Sequence, residues 1–164
     1  MSMATTASTH SEQRATALTA TDVGLFVLRL ALGVIFIAHG GQKLFGLFGG
    51  PGLSATIDTF DKFLGIPAPL AYLAVFTEFF GGLALVSGLF SRLAGLGLAV
   101  TMVVATIKAR LANGFFLTSG PPPYHTIGYE YNLALFAMAL AVVFTGPGRI
   151  AIGDIERRWF SKSS

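Results

Sequence analysis

The sequence predicts an all-α fold, a bundle of four helices crossing a membrane, on three observations. The 164 residues are 53% hydrophobic and only 12% charged, about half the charge of a soluble domain. The apolar residues gather into four segments, each close to the ~20 residues that span a bilayer. Each segment also carries an ionisable residue: Arg29, His39 and Lys43 in the first, Glu78 in the second, Lys108 in the third, Glu130 in the fourth. A charge among lipid tails is costly unless it faces protein or water, so these segments surround a polar interior.

Residues 1–22 are rich in Thr, Ala and Ser, lack an apolar run, and read as a disordered tail ahead of a transmembrane domain over 23–156. The long polar stretch with Arg14 as its sole basic residue is not the pattern of a secretory signal. The first span covers 23–45. Between it and the second lies 46–68, opening on Gly49-Gly50-Pro51-Gly52. There Leu53, Ile57, Phe60 and Leu64 recur at helical spacing and Asp58, Asp61 and Lys62 fall elsewhere. That is a short amphipathic helix, lying on the membrane surface or packed over the bundle mouth. The second and third spans, 69–90 and 91–112, meet at Ser91 and Arg92 as a hairpin. The loop to the fourth span, 128–146, holds Phe115, Phe116, the prolines at 121–123 and His125, an interfacial aromatic cap. Residues 157–164 form a tail anchored by Arg157, Arg158 and Trp159. Basic residues on the side of the termini (Arg14, Arg92, Arg149, Arg157, Arg158, Lys162) outnumber those opposite (Lys43, Lys62, Lys108, Arg110), which places both termini in the cytoplasm.

The rise of 1.5 Å per residue puts Glu78 near mid-membrane, Arg29 in the inner half, and His39, Lys43, Lys108 and Glu130 in the outer half. Arg29, Gly33, Phe36, Gly40 and Lys43 form one stripe with His39 beside it. Glu78, Gly82, Leu85 and Arg92 form another. Lys108 looks over Thr101, Gly97 and Ala94, and Glu130 continues into Ala134, Ala137 and Ala141. Small residues mark closely packed membrane-helix faces, so all these charges are expected to face inward. A faint repeat is also visible. Arg29-Leu-Ala31 opens the first span as Arg92-Leu-Ala94 opens the third, Lys43 parallels Lys108, and Glu78 parallels Glu130, as in two duplicated hairpins.

The chain has no cysteine, which excludes thiol catalysis, Fe–S clusters and cysteine zinc sites. No His/Asp/Glu spacing matches a metal motif, and scattered basic residues give no nucleic-acid footprint despite the net charge of +3. No intrinsic cofactor is evident. His39 with His125 is the one pairing that suggests haem, and a histidine in a loop after three prolines is a poor rigid ligand. Two readings of Glu78 stand: a proton carrier or ligand hydrogen-bonder, or an ion-pair partner of Lys43 or Lys108 that fixes helix register.

At these residues the chain resembles the DoxX family of small four-helix membrane proteins. The signature is Arg29, Gly33, His39-Gly40-Gly41-Gln42-Lys43-Leu44, then Glu78-Phe-Phe-Gly81-Gly82-Leu83, Gly88 and Arg92. Gly128-Tyr-Glu130, Gly146-Pro147-Gly148-Arg149 and Asp154 complete it, and the likeness covers about residues 23–156. The resemblance implies a bacterial inner membrane and association with membrane oxidoreductase systems, among them a thiosulfate:quinone oxidoreductase and a thiol-stress complex with superoxide dismutase. Relatives are also linked to catechol and quinone tolerance. It supplies no catalytic residues to carry over.

Three functions follow as expectations. The first is a membrane subunit of a quinone-linked redox system, with Glu78 and His39 at the chemistry and Lys43, Glu130, Lys108 and Arg29 lining a quinone or phenolic site. Electrons would come from a redox partner protein or from the quinol itself. The second is a small proton-coupled carrier, which four short helices would serve best as a homo-oligomer. The third is a membrane scaffold for a soluble redox enzyme.

Overall fold

The computed structural model describes residues 18–118 and 126–152. Expectations for the prolines at 121–123, His125, Asp154 and the tails at 1–17 and 153–164 lie outside the described residues. Helix α1 runs Ala20–Phe45. It begins three residues before the apolar stretch because Thr19 and Asp22 form a reciprocal cap: the Asp22 amide donates to Thr19 Oγ1 at 3.2 Å, and the Thr19 amide donates to Asp22 Oδ2 at 3.0 Å. The predicted tail therefore gives its last residues to the helix. Gly46, at φ 72°, ends α1 in the left-handed conformation that glycine tolerates best.

Helix α2, Gly52–Leu64, turns Leu53, Ile57, Phe60 and Leu64 onto Leu44, Ile66, Ala71 and Val75. It is thus the packed helix over the bundle mouth. Its opposite flank carries the exposed Lys62–Asp58 pair at 3.1 Å. Helix α3, Ala68–Ser87, and helix α4, Ser91–Ala105, meet in the tight turn that the sequence predicts. Beyond Ala105 the chain continues as a π turn, Thr106–Arg110, and a short 3-10 turn, Leu111–Asn113. Helix α5 covers Glu130–Thr145.

Helices α1 and α3 and the stretch Ser91–Asn113 are long and apolar enough to cross a membrane. Helix α5 is equally apolar, but its 16 residues span about 24 Å, short of a ~30 Å hydrocarbon core. The architecture is an all-α membrane bundle. Helix α1 packs along α3 and α4 along α5, α3 and α4 join the two pairs, and α1 meets α5 only slightly. The core consists of Leu32, Phe36, Leu85, Leu98, Met102, Leu135, Ala139 and Val142.

The two pairs cross in the same way. A Cβ on Gly33 would lie 2.8 Å from the Gly82 oxygen and 2.7 Å from Val86 Cγ2. A Cβ on Gly95 would lie 2.9 Å from the Ala139 oxygen and 3.1 Å from Val143 Cγ2. Each pair is further held by an arginine on its first helix. Arg29 donates to the Leu85 oxygen at 2.8 Å, and Arg92 donates to the Val143 and Phe144 oxygens at 2.6 and 2.9 Å. These are carbonyls at the end of the partner helix, where intrahelical donors run out. The two crossings are alike, but counting from them gives a register other than the one the sequence repeat suggests. Superposing Gly33 on Gly95 and Val86 on Val143 lays Lys43 on Ala105 and Glu78 on Leu135, not on Lys108 and Glu130.

Two inward-facing expectations fail for identifiable reasons. The stripe Ala134–Ala137 on α5 is exposed, and Leu135, Ala139 and Val142 point inward instead. Helix α4 presents Ala94, Gly95 and Ala99 there, and Gly95 lets the backbone come close at Ala139, which sets the inward face on Leu135, Ala139 and Val142. Lys108 is exposed because the π turn adds a residue and rotates it off the Gly97–Thr101 face.

Because a Cβ on Gly40 would sit 2.6 Å from the Phe79 backbone nitrogen, Gly40→Ala must push α1 off α3. The expected cost is about 1–3 kcal/mol, read as a lower thermal unfolding midpoint in detergent. Gly24→Ala, with nothing within 4 Å of the new methyl, should leave that midpoint unchanged.

Candidate functional site

The site begins at the α1–α3 crossing. With no side chain at Gly40, the α1 backbone rests directly against Phe79 and brings the neighbouring residues, His39 and Glu78, to one level in the bundle. Side chains on a helix lean toward its N-terminus. On these antiparallel helices Lys43 therefore reaches down along α1 and Glu78 reaches up along α3, and the two meet. Lys43 Nζ donates to Glu78 Oε1 at 2.6 Å and also to Oε2. Glu78 is 3% exposed, whereas the Lys43 side chain keeps 25% of its surface. The ammonium is the accessible end of the pair and the carboxylate the buried end. Above them α2 is pinned by Thr56, whose hydroxyl donates to the Gly52 oxygen at 2.7 Å and lies 3.4 Å from the Lys43 carbonyl.

His39 stands two turns from Leu32, so the two share one side of α1, roughly 140° from the outward-facing Val34. Leu32 is 0% exposed, yet His39 is exposed. His39 is thus an accessible residue on a side of α1 whose neighbours Leu32 and Phe36 are buried.

The other predicted site residues lie elsewhere. Arg29 is 0% exposed, with its Nη1 on the Leu85 oxygen and its Nη2 on the Ile150 oxygen. Fourteen residues along α1 from Lys43, about 21 Å, it ties the helix ends together. Glu130 is half-buried and accepts from the Leu117 amide at 2.6 Å, organising the loop after α4. Lys108 lies against Gly65 at the end of α2, its Nζ 4.0 Å from where a Cβ would be. Of the polar groups expected to converge, the structure brings Lys43 and Glu78 into contact, with His39 near the level of Glu78.

Sequence reasoning missed the segment after α5. Residues 146–152 fold back across the end of the α1–α3 pair. The Arg149 amide donates to Asp22 Oδ1 at 3.1 Å, the Ile150 oxygen takes Arg29, and the Ile152 amide donates to the Ser87 oxygen at 2.8 Å. Ala151 fills the space left by Gly88. The Gly146-Pro147-Gly148 signal announced a helix stop but not a strap. Among the described residues no three His, Asp or Glu side chains group as metal ligands would.

The family model for DoxX matches residues 24–111, which contain Arg29, His39, Lys43 and Glu78. A Bacillus subtilis (strain 168) protein named "Putative oxidoreductase CatD" is 33% identical over 131 residues, 80% of this chain and 85% of that protein. An Escherichia coli (strain K12) protein named "Inner membrane protein YqjF" is 26% identical over 140 residues, 84% of this chain and 96% of that one. No solved structure matches.

Removing one member of a buried pair leaves an uncompensated charge, so Lys43→Met alone should lower stability by about 3–5 kcal/mol. Replacing both groups with apolar ones, Lys43→Met with Glu78→Leu, should recover most of that loss. The second helix pair already carries an alanine and a leucine at these positions. Equilibrium unfolding in mixed micelles of the two variants and the wild type measures the coupling.

Proposed function

This chain belongs to the DoxX family of bacterial inner-membrane proteins, and from that premise we propose that it serves as the membrane subunit of a quinone-linked redox system. In this reading His39, Lys43 and Glu78 hold a quinone or phenolic ligand. The observation that carries it is the Lys43–Glu78 pair beside an accessible, inward-pointing histidine. A membrane protein keeps an ionised pair at that depth against a steep desolvation cost, which makes it a functional-site candidate.

The chemistry follows from the donor set. An ammonium and an imidazole donate hydrogen bonds to the oxygens of a quinone, and a carboxylate accepts the proton of a phenol. Interconverting quinone and quinol moves two electrons and two protons. Glu78, buried and hydrogen-bonded to Lys43, is the group placed to relay the protons. With no cysteine in the chain, the electrons come from a partner protein or leave with the quinol.

A second reading has its own support. The pair closes on itself at 2.6 Å, as an ion pair that fixes helix register would, and this favours a scaffold for a soluble redox enzyme. A carrier is less favoured. The strap at 146–152, running on from α5 to Asp22, Arg29 and Ser87, ties the two helix pairs together at one end, where alternating access needs them to rock.

Organic extraction of gently solubilised protein, followed by mass spectrometry, separates the two. Near-stoichiometric quinone in the wild type, lost from a folded Glu78→Gln/His39→Ala double variant, is the expected result. Quinone retained by the double variant would remove these residues from the site, and a folded wild type with no bound quinone would favour the scaffold.

A further inference from the structure

The two helix pairs repeat one another, so the seam between α3 and α4 has a counterpart between α5 and α1. The first seam is closed by small residues. A Cβ on Gly97 would lie 2.9 Å from Thr77 Cγ2, and one on Gly81 would lie 3.3 Å from Leu98. In the register of the repeat, Met138 stands where Gly81 does, and Phe36 stands where Leu98 does. Two bulky side chains thus replace a glycine–leucine contact. The consequence is visible in the packing, since α1 and α5 meet only slightly. The repeat is kept within each pair and broken between them.

His39 sits on this loose seam. It shares the side of α1 that buries Leu32 and is nevertheless exposed, and Ile35, one turn away on the same flank, is half-buried. The level is that of Glu78, because Gly40 and Phe79 are in contact. The strap at 146–152 covers one end of the α1–α3 pair, and α2 packs over the other. Among the described residues, neither the strap nor α2 covers the side of the bundle at the height of the ion pair.

We infer that the α1–α5 seam is a lateral portal through which a planar, membrane-dissolved aromatic ligand reaches Lys43 and Glu78, with His39 as the gatepost that first meets its oxygen. The inference rests on the quinone reading for the ligand, but the opening itself can be tested without any ligand. The portal selects for solubility in the bilayer. A quinone with an apolar tail can leave the tail in lipid while its ring enters between the helices, whereas a charged water-soluble phenolate must cross hydrocarbon to arrive.

The absence of cysteine makes the test direct, since each spin label needs a single substitution. His39→Cys and Ile35→Cys, labelled and reconstituted in lipid vesicles, are compared by power-saturation EPR with Val34→Cys on the outward face and Leu98→Cys in the core. The expected result at 35 and 39 is a collision rate with oxygen several-fold above that at 98 and exceeding that with aqueous nickel complex, the pattern of the lipid-facing control. Nickel-dominated accessibility would show that the opening faces water. Accessibility as low as at 98 would show that the seam is shut. Either result overturns the portal.

Adding ubiquinone-1 then tests the ligand's route. Loss of oxygen accessibility at 35 and not at 34 supports passage through the seam. Quinone that binds stoichiometrically without altering 35 or 39 overturns it. A seam that is open to lipid in a protein that binds no quinone would count against the quinone reading alone.

Discussion

Everything in this protein depends on how closely α1 can approach α3. Gly33 rests on Gly82 and Gly40 on Phe79, backbone to backbone, with no room for a methyl group at either point. Lipid tails are as apolar as leucine, so helices in a membrane gain little from hiding apolar surface from one another. They associate through close contact and hydrogen bonding instead. The glycines provide the contact, and a lysine chain then spans the remaining distance to Glu78. A wider crossing would leave a buried carboxylate without its ammonium.

The second helix pair shows that the scaffold does not need those charges. It reproduces the glycine crossing and the arginine on the carbonyls of the partner helix, yet it has Ala105 and Leu135 where the first pair has Lys43 and Glu78. The α4–α5 crossing holds together with no ion pair at those two positions. This contrast weighs toward a task for the ion pair beyond holding two helices together. A fold that stays intact without a costly feature in one half retains it in the other for a reason local to that half.

Much of this was legible in the sequence. Four apolar segments, the tight turn at Ser91, the amphipathic pattern of Leu53, Ile57, Phe60 and Leu64, and a lysine partner for Glu78, either Lys43 or Lys108, all follow from periodicity and the cost of burying charge. The errors share one origin, the assumption that helical phase runs on undisturbed. The π turn at Thr106–Arg110 rotates Lys108 away, and nothing in Thr106-Ile-Lys-Ala-Arg110 announces it. Ala134 and Ala137 of α5 face outward because the crossing is made where Gly95 meets Ala139, and one helix's sequence does not reveal the other's contact point. Repeat register was misjudged for a related reason. Leu83-Ala84-Leu85 looks like Leu133-Ala134-Leu135, but structural equivalence is fixed by which residue meets the glycine.

The strap beyond α5 bears on how the chain assembles. Arg29 is among the first residues of the bundle to enter the membrane, yet its contact with the Ile150 oxygen waits for a residue 121 positions later in the chain. Contacts this far apart in sequence form late, because the intervening loop must close before they contribute anything. A nascent chain carrying α1 and α3 can join them through Leu85, but it cannot finish that end of the pair until synthesis has passed the last helix. The strap therefore works as a completion signal. Chains interrupted after α4 would keep a guanidinium short of one carbonyl inside the bilayer.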